Sequence, residues 1–319
     1  MKAIQIDGDS LVWADYRDPF CGPEDVVLDI VATAVNRADL LQRKGFYPPP
    51  TGASEILGLE AAGIVSEVGP ATVGWRVGDR AACLLSGGGY AERVRVHHSA
   101  LIPLPDAMPF ELAAAIPEVF YTAFVNLFLE AGLSEGETVL IHAGGSGVGT
   151  AGIQMAVESG CRVIATASEP KLESISELGA FAVDRNSEDF VECVLEVTEG
   201  KGADVILDPV GTYLPRNQRC LAHEGRLVVI GLMGGVSADL DLRTLLSKRQ
   251  RVIGSVLRSR SIEEKAAITA HFLHEIWPMI LDERIGPIVD EEYNIQDVEA
   301  AHAHLASNES FGKVVLCVR

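Results

Sequence analysis

The stretch "TVLIHAGGSGVGTAGIQMA" (residues 138–156) constrains the fold most, because a short apolar run leads directly into a cluster of five glycines. Four more apolar runs follow it, "CRVIATA", "ADVILDPVG", "GRLVVIGLMGG" and "RVIGSVL", with helical patterns between them. Strands that are apolar throughout and alternate with helices indicate a parallel sheet covered on both faces. From about residue 117 onward the sequence therefore predicts a doubly wound α/β domain of the Rossmann type.

Two overlapping glycine frames within this stretch compete as a dinucleotide fingerprint. Gly147, Gly149 and Gly152 match G-x-G-x-x-G literally, whereas Gly144, Ser146 and Gly149 match only if serine is accepted in the middle. The first glycine of such a fingerprint must follow its strand directly, because the chain turns tightly there. Since the strand "TVLIHA" ends just before Gly144, the frame with serine is the one predicted to hold a phosphate.

The chosen frame gives each residue a role in cofactor binding. Ser146 is small enough to lie beside a phosphate, and its hydroxyl can donate a hydrogen bond to it. Gly147 and Val148 begin the helix, whose free N–H groups and positive dipole end point at an anion. Gly149 permits close packing of helix on strand, and Gly152 falls inside the helix. A glycine-rich turn without a ligand is the alternative.

The sequence after the second strand of this domain favours NADPH over NADH. An acidic residue that would hold the ribose hydroxyls of NAD is missing, since Ala167 stands at the end of "VIATA". Lys171 opens the next helix and Arg185 follows the third strand-like run, so two cations are available for a 2′-phosphate. Glu169 works against this interpretation, because its charge would repel that phosphate. Ordinary surface charge is the alternative for both cations.

Composition excludes some partners. The formal charge of −19 and the pI near 4.8 argue against a nucleic-acid or anionic-membrane surface, because phosphates would repel such a chain. Six scattered cysteines without C-x-x-C spacing indicate small core residues in a reducing compartment. No signal peptide or membrane-length apolar run is present in the sequence, so a cytoplasmic protein is expected.

A set of motifs runs in order through nearly the whole chain: "NRADLLQRKGFYPPP", "LGLEAAGIVSEVG", "VGDRAACLLSGGGYAERV", "AAAIPEVFYTAF", "LIHAGGSGVGTAGIQ", "LDPVG" and "VIGLMGG". Together they resemble the zinc-free quinone oxidoreductase branch of the medium-chain dehydrogenase/reductase superfamily. "GLMGG" with "GSVLRSR" is most similar to its damage-inducible NADPH:quinone oxidoreductase type. The resemblance implies a GroES-like, β-rich catalytic domain built from residues 1–118 and 258–319, with a Rossmann domain at 119–257.

The resemblance also implies that no metal is bound. Zinc-dependent relatives place ligands at the positions of Asn36 and Leu59, and a leucine cannot ligate zinc. The histidine pairs His271 and His274, and His302 and His304, fall on amphipathic helices, where polar helix surface is expected rather than a metal site.

Several site residues follow from the resemblance alone. Asn36 and Tyr47 are the candidate catalytic groups, because the matching residues of the family flank the nicotinamide pocket. The alternative is that Tyr47 is a turn residue packed on Pro48 and that Asn36 is a backbone-capping amide. Ser168 with Lys171 is implied to meet the adenosine phosphate, in a loop one residue shorter than usual, and Arg185 replaces the usual tyrosine there. The residues implied to contact the rest of the cofactor are Thr122, Gly231, Leu232, Met233, Val256 and Leu257.

The expected activity is NADPH-dependent hydride transfer to quinones without zinc. Two alternatives stay open: reduction of α,β-unsaturated carbonyls, with Tyr47 as the proton donor, and a non-catalytic, crystallin-like role with bound cofactor. The expected partner is a small-molecule acceptor rather than nucleic acid or membrane. Family members pair through the last Rossmann strand, which corresponds to "RVIGSVL", so a homodimer is expected.

Overall fold

The computed structural model describes all 319 residues. The strands are β1 (Lys2–Asp7), β2 (Ser10–Asp15), β3 (Asp25–Val35), β4 (Glu60–Val68), β5 (Arg80–Leu84), β6 (Arg93–His97), β7 (Leu101–Pro103), β8 (Thr138–Ile141), β9 (Arg162–Ala167), β10 (Phe181–Asp184), β11 (Ala203–Asp208), β12 (Leu221–Val229), β13 (Arg251–Gly254), β14 (Val289–Asn294) and β15 (Lys313–Cys317). The helices are α1 (Arg37–Arg43), α2 (Phe110–Ala114), α3 (Pro117–Phe124), α4 (Gly147–Glu158), α5 (Leu172–Glu177), α6 (Phe190–Val197), α7 (Leu214–Cys220), α8 (Leu242–Ser247), α9 (Ile262–Glu275), α10 (Trp277–Leu281) and α11 (Val298–Ser307). None of these helices is long and apolar enough to cross a lipid bilayer.

The chain divides into two compact units. The first comprises Met1–Tyr121, Arg258–Pro278 and Pro287–Arg319, and the second comprises Thr122–Leu257 and Met279–Gly286. The chain first passes from the first unit to the second within α3, between Tyr121 and Thr122. This point lies three residues after the predicted boundary at residue 118.

The first unit is built on a β-rich sheet to which both ends of the chain contribute. Its strand order is β14-β15-β3-β4-β5-β7, and β6 also pairs with β3. Strand β15 runs antiparallel to β3, with Val314 opposite Val35, so the last strand of the chain lies beside an early one. The sheet therefore shows the expected return of the C-terminal segment to the N-terminal domain.

The second unit holds a parallel six-stranded sheet of order β10-β9-β8-β11-β12-β13. Counted from β8, this is the 3-2-1-4-5-6 order of a doubly wound Rossmann sheet. Strands β8 and β11 lie at its centre, and their apolar side chains are buried. The order reverses between these two strands, and ligands of open α/β sheets bind in the crevice at such a point. The predicted Rossmann fold is confirmed.

One segment belongs to a different unit from the one predicted. Met279–Gly286 was expected in the catalytic domain but packs with the Rossmann unit. Gln154 of α4 donates its amide to the Gly286 carbonyl at 2.9 Å and accepts from the Gly286 N–H at 3.0 Å. Arg284 also pairs with Glu158 of the same helix. These contacts join residues more than a hundred positions apart, so the local sequence pattern does not reveal them.

Candidate active site

The glycine-rich turn of the Rossmann unit has the geometry predicted for the frame that starts at Gly144. Ala143 adopts a left-handed backbone conformation with φ of 54°, and the Gly144 N–H donates to the Thr166 carbonyl at 2.8 Å. Helix α4 begins at Gly147, as predicted. Ser146 caps it by accepting from the Gly149 N–H at 3.1 Å, and its own hydroxyl hydrogen can still be donated.

Two glycines of this frame leave no space for a side chain. A Cβ on Gly149 would lie 2.4 Å from the Ala143 carbonyl oxygen, and one on Gly144 would lie 2.9 Å from the Cβ of Ala165. The turn can therefore be this tight only with glycine at both positions. Together with the start of a 12-residue helix at the carboxyl end of the central strand β8, it fits the pyrophosphate of a dinucleotide.

A buried polar network next to the turn was not predicted. His142, directly before the turn, contacts the Thr166 hydroxyl through Nδ1 at 3.0 Å and Oδ1 of Asn217 through Nε2 at 2.8 Å. The Asn217 amide donates to Asp208 at 3.0 Å, which links the carboxyl ends of β8, β9 and β11. Burial lowers the pKa of His142, so the imidazole is neutral. The sequence feature that could have predicted this network is the polar residue at the end of each of three strands, in "LIHAG", "IATAS" and "ILDPV".

The edge predicted to hold the adenosine phosphate is formed by two neighbouring strands. Asp184 pairs with Ala167 between β10 and β9, and the Arg185 N–H donates to the Ala167 carbonyl at 2.8 Å. Arg185 therefore directly follows β10, and Ser168 directly follows the neighbouring strand β9. Glu169 is exposed in a 3-10 turn that also contains Lys171. The predicted residues thus lie in one region, and their contact with a 2′-phosphate stays a prediction.

The residues implied to line the nicotinamide end follow two paired strands. Gly231, Leu232 and Met233 follow β12, whereas Val256 and Leu257 follow the parallel strand β13. Leu232, Met233 and Val256 are exposed and Leu257 is buried. Thr122 lies in α3, and its carbonyl accepts from the Asn126 side chain at 2.7 Å. No contact in the structure tests these cofactor roles.

The first unit places Asn36 in a buried ion-pair cluster. Lys313 is 3% exposed, and its Nζ lies 2.8 Å from Oε1 of Glu60 and 2.6 Å from Oδ1 of Asn36. The Asn36 Nδ2 donates to the same Glu60 oxygen at 2.8 Å, and Leu59 beside it is buried. Both ends of the Asn36 amide are thus engaged within the protein. Lys313 was not predicted, since it lies 277 residues further along the chain.

A second polar cluster adjoins the start of α1 and corrects one prediction. His302 was expected on a polar helix surface, but it is buried, and its Nε2 lies 3.2 Å from the Tyr90 hydroxyl. Tyr90 donates to Asp39 at 3.3 Å, and the N–H groups of Asn36 and Gly58 also donate to that carboxyl. Burial raises the pKa of Asp39 to about 6 and lowers that of His302 to about 4.

Tyr47 lies beside Arg258, which was not predicted as a site residue. The Arg258 guanidinium is buried over the Tyr47 ring, 5.1 Å from its centroid, and donates to the Tyr47 carbonyl at 3.2 Å. It also donates to Oε1 of Gln42 at 2.6 Å, which fixes its orientation. Burial, and then the nearby Glu118 carboxyl, raise the pKa of the Tyr47 phenol. Tyr47 is therefore held in place and retains its proton.

Glu118, in the first turn of α3, contacts the ion-pair cluster through its backbone. Its backbone N–H donates to Oε2 of Glu60 at 2.8 Å, and its side chain is half-buried. Burial, followed by the charge of Glu60, raises the pKa of Glu118 to about 8, although Lys313 and Arg258 oppose the rise. The first unit thus combines a paired ammonium and carboxylate with a glutamate whose pKa is raised.

Comparisons with known proteins agree with this architecture. Residues 22–106 match the family described as alcohol dehydrogenase GroES-like domain, and residues 147–272 match the family described as zinc-binding dehydrogenase. A squalestatin tetraketide synthase of Cochliobolus lunatus is 34% identical over 280 residues, 82% of this chain. The chain spans only 11% of that synthase, and it covers similarly small parts of the other curated relatives that it matches first.

Solved structures match over the whole length. An NAD-dependent alcohol dehydrogenase is 30% identical, with full coverage of both chains and a TM-score of 0.86. A quinone oxidoreductase of Pseudomonas syringae is 29% identical, with 99% of both chains covered and a TM-score of 0.88. The CurK enoyl reductase is 25% identical, with 99% of this chain and 98% of the other covered and a TM-score of 0.87.

The matches in sequence and structure cover both the β-rich unit and the Rossmann unit. The Rossmann turn also fits a dinucleotide. This chain belongs to the medium-chain dehydrogenase/reductase superfamily.

Proposed function

We propose that this chain is a zinc-independent, NADPH-dependent reductase of quinones. The observation that carries the proposal is the Asn36–Glu60–Lys313 cluster. The resemblance implies that zinc-dependent relatives have a metal ligand at the position of Asn36. Zinc sites in proteins use thiolate, imidazole and carboxylate donors. Here an amide and a carboxylate are bonded to an ammonium, and Leu59 has no donor atom. This donor set does not fit zinc.

A substrate reduced without a Lewis acid must itself be electrophilic. Quinones meet this requirement, because gaining electrons restores the aromaticity of the ring. A nicotinamide dinucleotide, when bound, supplies the hydride. The protein would orient cofactor and acceptor and exclude water. The similarity to the Pseudomonas syringae quinone oxidoreductase supports this choice of acceptor.

Reduction of α,β-unsaturated carbonyls is a second candidate of comparable weight. Such an acceptor needs a proton at its α-carbon, and the half-buried Glu118 carboxyl with its raised pKa gives the first unit a suitable acid. The similarity to the CurK enoyl reductase, and to one segment of much longer polyketide synthases, points the same way.

One assay set separates these candidates. With a zinc chelator present, the purified chain should consume NADPH faster than NADH when 1,4-benzoquinone or an ortho-quinone is the acceptor. Turnover of an alkenal without turnover of any quinone would establish the second candidate instead. Tight NADPH binding without turnover of either acceptor class would support a non-catalytic, crystallin-like role, and activity lost to the chelator would refute zinc independence.

The preference for NADPH is tested by removing the two predicted phosphate contacts. Lys171→Ala and Arg185→Ala should each raise the Michaelis constant for NADPH about tenfold, because a hydrogen bond to a charged group is lost. The constant for NADH should change little. Glu169→Gln should have the opposite effect and lower the NADPH constant, since a repelling charge is removed. Lys201→Ala, an exposed lysine elsewhere in the Rossmann unit, serves as the control. If Lys171→Ala and Arg185→Ala raise the Michaelis constants for NADPH and NADH equally, the 2′-phosphate lies elsewhere.

A further inference from the structure

His142, just before the glycine-rich turn of the Rossmann unit, is bonded on both ring nitrogens to residues of neighbouring elements. Its Nδ1 lies 3.0 Å from the Thr166 hydroxyl in β9, and its Nε2 lies 2.8 Å from Oδ1 of Asn217 in α7. The ring is buried and meets the rings of Phe190 and Tyr213 edge to face. Its orientation is therefore fixed, and both of its nitrogens are engaged inside the Rossmann unit.

The hydrogen-bond partners decide which ring nitrogen carries the proton. The Asp208 carboxylate accepts from the Asn217 amide nitrogen at 3.0 Å, so the amide oxygen faces His142. An amide oxygen only accepts, and the His142 Nε2 is therefore the donor. Because burial lowers the pKa of His142, the neutral ring has one proton, and Nδ1 accepts from the Thr166 hydroxyl. Donation thus runs in one direction, from Thr166 through His142 and Asn217 to Asp208.

This hydrogen-bond chain continues to the turn after β12. Asp208, the last residue of β11, also accepts from the N–H groups of Val210 and Gly211 at 2.7 Å and 3.0 Å, which fixes the loop after β11. In that loop the Val210 carbonyl accepts from the Gly234 N–H at 2.9 Å. Gly234 belongs to the same turn as residues 231–233, which are predicted to line the nicotinamide end.

The connected residues follow the carboxyl edge of four adjacent strands, β9, β8, β11 and β12. A Rossmann sheet binds its dinucleotide in the crevice at this edge, with the adenosine ribose at the end of the second strand. That strand is β9 here, so Thr166 lies on the adenosine side of the crevice. Strands β11 and β12 lie on the other side of the central strand β8. His142, which follows β8, therefore joins the two sides.

We propose that His142 is a positioning residue that holds the adenosine side and the nicotinamide side of the dinucleotide crevice in a fixed relative position. This inference rests on the cofactor of the proposed function and adds a buried residue that acts through its neighbours. The bond to Thr166 anchors the end of β9, and the bond to Asn217 anchors the loops after β11 and β12 through Asp208. A crevice that is ordered before binding has less conformational freedom to lose when the cofactor binds.

Two substitutions interrupt the hydrogen-bond chain on either side of His142. Thr166→Val removes the hydroxyl on the adenosine side, and Asn217→Leu removes the amide on the nicotinamide side. Calorimetric titration compares NADPH with 2′-phospho-ADP-ribose, which lacks the nicotinamide. Thr166→Val should raise the dissociation constants of both ligands about tenfold, whereas Asn217→Leu should raise that of NADPH about tenfold and leave that of the fragment unchanged. If wild type prefers NADH, then NADH and ADP-ribose take their places.

Variants of His142 and of a distant buried amide separate positioning from general stability. His142→Phe offers neither a donor nor an acceptor and should weaken both ligands at least tenfold. His142→Gln offers one of each and should restore binding to near the wild-type value. Gln250→Leu removes a buried amide that donates to the Gln218 and Leu221 carbonyls at the amino end of β13. It should lower the melting temperature without weakening either ligand.

Nuclear magnetic resonance of protein labelled with ¹⁵N-histidine tests the direction of the hydrogen bonds without any ligand. The ring of His142 should carry its proton on Nε2, and its signals are identified by their absence in His142→Gln. A proton on Nδ1 instead would overturn the hydrogen-bond chain from Thr166 to Asp208.

The outcomes distinguish this inference from the proposed function. Equal weakening of NADPH and the fragment in Asn217→Leu, or wild-type binding of NADPH by His142→Phe, would overturn the role of His142. If wild type binds NADPH but reduces neither acceptor, the reductase function is refuted, and the binding comparisons still decide the role of His142. If wild type binds neither NADPH nor NADH, both are refuted.

Discussion

Replacing Lys313 with methionine is expected to lower the free energy of unfolding by about 3–5 kcal/mol, the cost of leaving a buried charge without its partner. Methionine retains an unbranched apolar side chain and lacks the ammonium. That ammonium donates to the Val35 carbonyl, the Asn36 amide and the Glu60 carboxylate, so all three of its hydrogens are used. The loss should appear in urea denaturation as a lower midpoint with an unchanged slope.

A double variant identifies the source of this loss. Lys313→Met combined with Glu60→Gln removes both charges, and it should be more stable than Lys313→Met alone because no unpaired carboxylate remains. Lys2→Met, at an exposed position of the same unit, should change stability by less than about 0.5 kcal/mol. A loss below about 1 kcal/mol in Lys313→Met would mean that Glu60 does not depend on this ammonium for its charge balance.

The sequence predicted those parts of the molecule that depend on local pattern. The apolar runs identified the parallel sheet. The choice of the frame that starts at Gly144 correctly located the start of α4 at Gly147, although β8 ends at Ile141 and not directly before Gly144. In both cases the evidence lies within a few residues of the feature. Strand periodicity and turn geometry depend on neighbouring residues, so the local sequence is sufficient to predict these features.

The polar clusters could not be predicted, because their members come from distant parts of the chain. Lys313 reaches Asn36 across 277 positions, and His302 reaches Tyr90 across 212. The pattern around His302 is that of an amphipathic helix, and it does not show that this side chain packs into the unit. Glu118 looks like an ordinary charged residue at a helix start. Only the fold brings its backbone N–H to the Glu60 carboxylate, 58 positions earlier in the chain.

Gly149→Ala is expected to impair dinucleotide binding at least tenfold and to destabilise the Rossmann unit by about 1–3 kcal/mol. Even a methyl group there would lie 2.4 Å and 2.6 Å from the carbonyl oxygens of Ala143 and Gly144. These are backbone atoms of the phosphate turn, so the start of α4 would have to move away from it.

Gly152→Ala is the matched control on the same helix, and it decides between the two glycine frames. A Cβ at Gly152 meets only side chains, 3.3 Å from Ile141 and 3.4 Å from Leu127, which can shift by a few tenths of an ångström. Alanine also favours the helix by up to about 1 kcal/mol. Titration of both variants with NADPH, followed by fluorescence, should therefore show weakened binding for Gly149→Ala alone. Equal loss in Gly152→Ala would favour the literal frame of Gly147, Gly149 and Gly152. Unimpaired binding by Gly149→Ala would mean that the cofactor does not depend on this turn.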